Sequence, residues 1–218
     1  MTDKVQATLT ISTQSQTIKW SPKDPHLPKP QPPRIAIDGK VIVPAQGPAS
    51  PTGFQMVIMD ATQNPSNPSA ILLNRYITVF SASEDSNNWS STYDGVYYRI
   101  RENVLTTGDI NEQILILASF GLDRGMAPDP DALEMFLAYG AGAQLQLWET
   151  TADIGSQVGD PTSWTTFPTN YILVGGSSLG YKQGTEVYAT SNQAPVNSTV
   201  TVPLGELRQK PGVREAAG

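Results

Sequence analysis

The chain has 218 residues and a formal net charge of -6, with its Lys and Arg scattered rather than clustered, which excludes a surface built to neutralise phosphates and so sets aside nucleic acid and anionic membranes as main partners. It contains no cysteine and a single histidine, His26, so disulfides, thiolate catalysis and Cys-based metal sites are excluded, and the commonest general base is confined to a proline-rich stretch. No apolar run approaches the roughly 20 residues that span a bilayer, and Met1-Thr2-Asp3-Lys4 opens a polar segment without a signal-type apolar core, so the expectation is a soluble chain with no readable address.

The length suits one domain of ordinary size plus some extra chain. From Lys4 to Ile11 the apolar Val5, Ala7, Leu9 and Ile11 alternate with Gln6, Thr8 and Thr10, the period-two pattern of a half-buried strand. Such a strand must pair either with the main domain or with another chain. In the second case it is a tether, and Val5, Leu9, Ile11 and Trp20 are the expected partner-binding positions. The stretch from Ser21 to Pro33 holds so many prolines that it reads as an extended polyproline spacer.

Arg34 to Val43 carries Asp38-Gly39 between two alternating apolar runs, which predicts a hairpin with a tight primed turn. Phe54 to Asp60 and Ile71 to Phe80 read as two further strands joined by a loop containing Asn64, Pro65, Asn67 and Pro68. Tyr97, Ile100, Val104 and Leu105 follow helical spacing and predict a helix over about Gly95 to Leu105, closed by Gly108. Ile114 to Ala118 is short and uniformly apolar, as a mid-sheet strand covered on both faces requires. Asp129-Pro130 places a capping carboxylate before a proline at the first helical position, and Gly140 and Gly142 end that helix. Leu145, Gln146 and Leu147 read as a strand leading into Trp148, with Tyr171 to Val174 and Thr185 to Ala189 as the last two strands of the domain. Val200 to Leu204 adds a possible closing edge strand, and Gly175, Gly176 and Gly180 read as a glycine-rich turn. The class is α+β with mainly antiparallel sheet, and the expected organisation is an N-terminal arm and linker over 1–33, a domain over 34–190 and a tail over 191–218.

The segments Pro33 to Lys40 and Gly53 to Asp60, the Ile114 to Ser119 strand, the helix after Asp129, and Asn170-Tyr171-Ile172-Leu173-Val174-Gly175-Gly176 together resemble the interleukin-like EMT inducer (ILEI) domain, also called the GG or PANDER-like domain. The resemblance covers about Pro33 to Ala189. It implies a β-sandwich with two or three flanking helices, found in secreted cytokine-like proteins and beside glycosyltransferase or hyaluronan-processing domains, where some members bind carbohydrate. The cysteines and signal segment of the secreted animal members are missing here, so the resemblance points to a bacterial or phage relative.

Two loops carry the candidate ligand residues. Glu84 to Asp94 is polar and holds Asp85, Trp89, Tyr93 and Asp94, the combination a sugar site uses: flat rings for the pyranose face and carboxylates for its hydroxyls. It does not match a calcium loop, which needs alternating oxygen ligands and a distant bidentate Glu. Thr150 to Thr169 holds Asp153, Asp160, Trp164 and Phe167, and Trp148 and Trp164 are added to the stacking set. Carboxylate catalysis would draw on Asp60, Asp85, Asp94, Asp123 or Asp153, but no pair stands out by spacing. No cofactor and no metal site is expected. The reading is therefore non-catalytic: a carbohydrate-recognition module within a larger surface or phage-type assembly, or a structural subunit of a particle joined to other subunits through residues 1–33.

Overall fold

The computed structural model describes residues 7–15, 19–20, 31–50, 52–78, 93–123, 125–152, 164–165, 167–176, 183–191 and 195–204; the side chains at 19, 20, 93, 94, 123, 164 and 165 fall outside the description. The strands are β1 (Thr8–Ser15), β2 (Lys19–Trp20), β3 (Arg34–Ile37), β4 (Lys40–Val41), β5 (Gly53–Asp60), β6 (Ile71–Thr78), β7 (Gln113–Phe120), β8 (Leu122–Asp123), β9 (Trp164–Thr165), β10 (Pro168–Gly176), β11 (Thr185–Thr190) and β12 (Val196–Pro203). The helices are α1 (Tyr93–Thr106), α2 (Pro130–Ala138) and α3 (Ala143–Ala152).

Among the described residues every strand pairing is antiparallel. The main sheet runs β11-β10-β7-β5-β6, with β8 also on β10, and a smaller sheet runs β12-β1-β3-β4. β7 is buried along its whole length, because both of its faces are covered. Ile114, Ile116 and Ala118 face the smaller sheet with Leu9, Ile11, Ile35 and Ile37. Leu115 and Leu117 face the helices with Phe54, Met56, Ile100, Phe136, Leu145 and Trp148. The described residues thus form an antiparallel β-sandwich with three α-helices on the outer face of one sheet.

Local chemistry accounts for the joints. Asp38 and Gly39 both have positive φ, 49° and 77°, as a primed two-residue turn demands. Asp38 Oδ1 also accepts the Thr8 backbone N–H at 2.8 Å, fastening β1 beside the hairpin. Asp129 caps α2 by accepting the Ala132 N–H at 2.7 Å.

Three expectations are corrected. β1 is no detached arm: it lies between β12 and β3, and Leu9 and Ile11 are 0 % exposed in the inter-sheet core. Burying each contributes about 1.5–3 kcal/mol, so they serve this chain's own fold and not a partner. Val5 lies outside the described residues, and Trp20 is seen only as the backbone pairing partner of Trp164. The segment around Leu145 is helix α3, not a strand: Leu145 and Trp148, three apart, are buried, while Leu147 is exposed. Gly175 and Gly176 are no turn but the last residues of β10, opposite Leu115 and Ile114. A Cβ on Gly175 would come within 1.6 Å of the Tyr139 carbonyl oxygen, so glycine there lets the end of α2 rest directly on the sheet.

Candidate functional site

The helical face of the molecule is set by α1. Val96, Tyr97, Ile100 and Val104 form its buried stripe, and Tyr97 is locked in place by rings of Phe54 and Phe136 at 6.0 and 6.1 Å and by donation of its hydroxyl to the Met126 carbonyl. With that stripe fixed, the flanking positions have defined directions. Tyr98 stands 62 % exposed on the flank toward α2, one turn before Arg101, whose guanidinium pairs with the Asp131 carboxylate in the first turn of α2. Tyr98, Arg101, Pro130 and Asp131 line a hollow of about 280 Å³, close to the lower bound of small-ligand sites. Both ion-pair partners are well exposed, so the pair contributes little to stability and leaves donors and an acceptor facing solvent beside a free aromatic face.

The opposite flank of α1 borders a larger cleft of about 610 Å³. Its floor is β6 from Leu73 to Thr78, and its walls are the loop around Pro44 to Ala49 and the α1 residues Arg99, Glu102 and Asn103. Arg75 donates to Asn103 Oδ1 at 3.1 Å, which holds its guanidinium across the cleft. Below the floor, buried Gln55 donates to the Ile42 carbonyl and to Asn74 Oδ1, while its own Oε1 has no partner.

Three of the described acidic and phenolic groups, Asp60, Tyr171 and Tyr139, are committed to structure. Asp60 accepts from the Thr62 N–H and hydroxyl and from Gln63 Nε2, and its carboxyl is held below the usual range chiefly by the Thr62 hydroxyl. Tyr171 donates to Glu186 Oε1 at 2.7 Å; burial first, then the charge of Glu186, pushes its hydroxyl well up. Tyr139 donates to Gln113 Oε1 at 2.6 Å and is likewise raised by burial. A hydroxyl so raised stays protonated and is no base near neutrality. Among the described residues, no group of three or more His, Asp and Glu side chains could hold a metal ion, and no helix is long and apolar enough to cross a membrane.

The residues expected to bind a ligand are not brought together. Trp148 is 0 % exposed, its ring 5.0 Å from Tyr171 and 5.9 Å from Tyr188; it is a core residue and cannot stack on a ligand. Asp85, Trp89 and Asp153 lie outside the described residues. The backbones of Tyr93 and Asp94 form the start of α1, and their side chains fall outside the description. Trp164 is described only as backbone in β9. Tyr98, Arg101 and Asp131 were not singled out from sequence, and the available signal was small: Tyr98 is an aromatic of α1 next to Tyr97.

No protein-family model matches the chain, and no curated protein matches it.

Proposed function

We propose that this chain is a non-catalytic recognition module that binds carbohydrate in the hollow between α1 and α2, within a larger surface or phage-type assembly. The observation that carries the reading is the exposed Tyr98 ring beside the Arg101–Asp131 pair. An aromatic face offers apolar contact to one side of a pyranose, and the adjoining guanidinium and carboxylate can exchange hydrogen bonds with its hydroxyls. The platform is rigid, since Tyr97 pins α1 to the core on the neighbouring helical position, and sites on rigid elements hold their geometry. The resemblance to the ILEI domain, some of whose members bind carbohydrate, supports the same ligand class.

A glycan array probed with the full chain, alongside Tyr98→Ala and Asp131→Asn, tests this reading. The expected result is a defined set of bound glycans that Tyr98→Ala loses and Asp131→Asn weakens, with the thermal unfolding of both variants unchanged. A wild-type chain that binds nothing, or binding that survives Tyr98→Ala, overturns it.

A further inference from the structure

Resting on the sugar reading and deepening it, we infer that the ligand is a glycan bearing an apolar substituent, an alkyl or acyl chain, which lies in a second hollow between α1 and α2. The two hollows adjoin, because Arg101 and Asp131 line both. Past that ion pair is a space of about 350 Å³ whose lining includes Leu105, Ile110, Met135 and Ala138. The helical repeat sets this up. Tyr98, Arg101 and Leu105 follow at spacings of three and four on α1, and Asp131, Met135 and Ala138 at four and three on α2, which keeps each set on one face of its helix. Leu105 is 60 % and Ile110 37 % exposed. Single exposed apolar side chains need no explanation, but Tyr98, Leu105 and Ile110 gather around one continuous groove, and a gathered patch marks a binding surface.

Length and polarity choose the occupant. Tyr98 and Leu105 are about 10 Å apart along the helix axis, more than one pyranose ring covers. A ring on Tyr98 with its hydroxyls at the Arg101–Asp131 pair therefore directs whatever it carries on its far side over Leu105. A second sugar ring would set hydroxyls against Leu105, Ile110, Met135 and Ala138, and Asn111, a polar neighbour of that hollow, already donates to Asp109 Oδ1 at 3.0 Å. A run of methylenes instead matches apolar surface with apolar surface and leaves no hydroxyl unpaired. A protein partner fits poorly: Leu105 and Ile110 offer far less than the roughly 800 Å² per partner of a stable interface, and the neighbouring charges of Arg101, Asp131 and Glu134 would have to be desolvated with them.

The experiment titrates the full chain with methyl and hexyl glycosides of glucose, galactose, mannose and N-acetylglucosamine, below micelle-forming concentrations, and with hexanoyl esters of the same sugars. For at least one sugar a chain-bearing probe is expected to bind at least about tenfold tighter than the methyl glycoside; a gain with the hexyl glycoside assigns a glycolipid type of ligand, and a gain with the ester alone an acylated sugar. Leu105→Asp, which changes a side chain outside the Tyr98 hollow, should abolish the gain and leave methyl-glycoside binding as it was. Leu147→Asp, at an exposed leucine of α3, should retain the gain. Equal affinity for methyl and chain-bearing probes, or a gain that survives Leu105→Asp, overturns this inference and leaves the sugar reading standing. Failure of every chain-bearing probe to bind also overturns it, while the glycan array with Tyr98→Ala reports separately on the sugar reading. A dimer of the free chain that Leu105→Asp dissociates assigns the groove to a second copy and overturns the inference too.

Discussion

Replacing Glu186 by alanine removes the clamp that holds α3 on the sheet. Glu186 Oε2 accepts the Gly142 and Gln144 backbone N–H groups, each at 3.0 Å, and so satisfies donors that the start of α3 leaves open. The position before the helix is Gly142, which has no side chain to cap it, and Glu186 supplies the cap from β11 while placing negative charge at the positive end of the helix. Its Oε1 accepts the Tyr171 hydroxyl from inside the core. Loss of the cap costs about 1–2 kcal/mol, and orphaning the buried Tyr171 hydroxyl costs a further 1–3 kcal/mol or so, for a total of about 3 kcal/mol. With a urea slope of roughly 2 kcal/mol per molar, the unfolding midpoint falls by about 1.5 M. Glu186→Gln retains an oxygen for the helix and an amide that the turned Tyr171 hydroxyl can accept from, and costs about 1 kcal/mol. The decisive comparison is the double-mutant cycle with Tyr171→Phe: without the hydroxyl to orphan, Glu186→Ala becomes at least about 1 kcal/mol milder. A cost below 1 kcal/mol in the wild-type background, or the same cost in the Tyr171→Phe background, refutes the clamp.

Deleting residues 1–33 removes β1 from the middle of its sheet and uncovers the inter-sheet faces of β7 and β10, so the shortened chain is expected to bind a hydrophobic dye and to lack near-ultraviolet circular dichroism; a native spectrum would show that β1 is dispensable. The pH profile falls off on both sides. Hydrogen bonds, led by the Ser66 hydroxyl at Asp38 and the Thr62 hydroxyl at Asp60, depress both carboxyls in the folded state, so their stabilisation is complete above the unfolded value of about 3.9 and is lost as pH falls through the lower folded values. Thermal unfolding at pH 3 against pH 6 should therefore change less in Asp38→Asn/Asp60→Asn than in the wild type, and an equal change would contradict this. Tyr171 and Tyr139 are raised, chiefly by burial, so their contribution is complete below about pH 10 and declines above it as the unfolded chain ionises first; Tyr171→Phe should flatten that alkaline decline.

What could be read from the sequence was what neighbouring residues decide among themselves. Ile114 to Ala118 is apolar at every position because both faces are covered, and it occupies the middle of the main sheet. Asp38-Gly39 and Asp129-Pro130 carry their turn and cap chemistry in two residues each. Leu145-Gln146-Leu147 was ambiguous for the same local reason: three residues satisfy an alternating pattern as well as a helical one, and only the burial of Trp148 together with Leu145 selects the helix. The place of β1 was hidden because its partners lie near residues 36 and 200, and the proline-rich stretch after it reads as a spacer with no hint of where the chain returns. The site was less legible than the fold. Tyr98 differs from Tyr97 only by which side of α1 it occupies, and Glu186 reaches backbone groups more than 40 residues away, which no pattern of side-chain types encodes.

The pairing of β1 with β12 also has a kinetic consequence. Eight consecutive pairs, from Thr8↔Pro203 to Ser15↔Val196, join segments far apart in the sequence, so the smaller sheet has a high contact order, and closing such a long loop precedes any reward from the contacts it makes. During synthesis β1 emerges well before β12 and waits for it, while the apolar inner face of the main sheet stays partly uncovered and open to association with other nascent chains. Circular permutation that joins β12 to β1 through a short linker would turn this last, most distant pairing into a local hairpin, and should speed refolding.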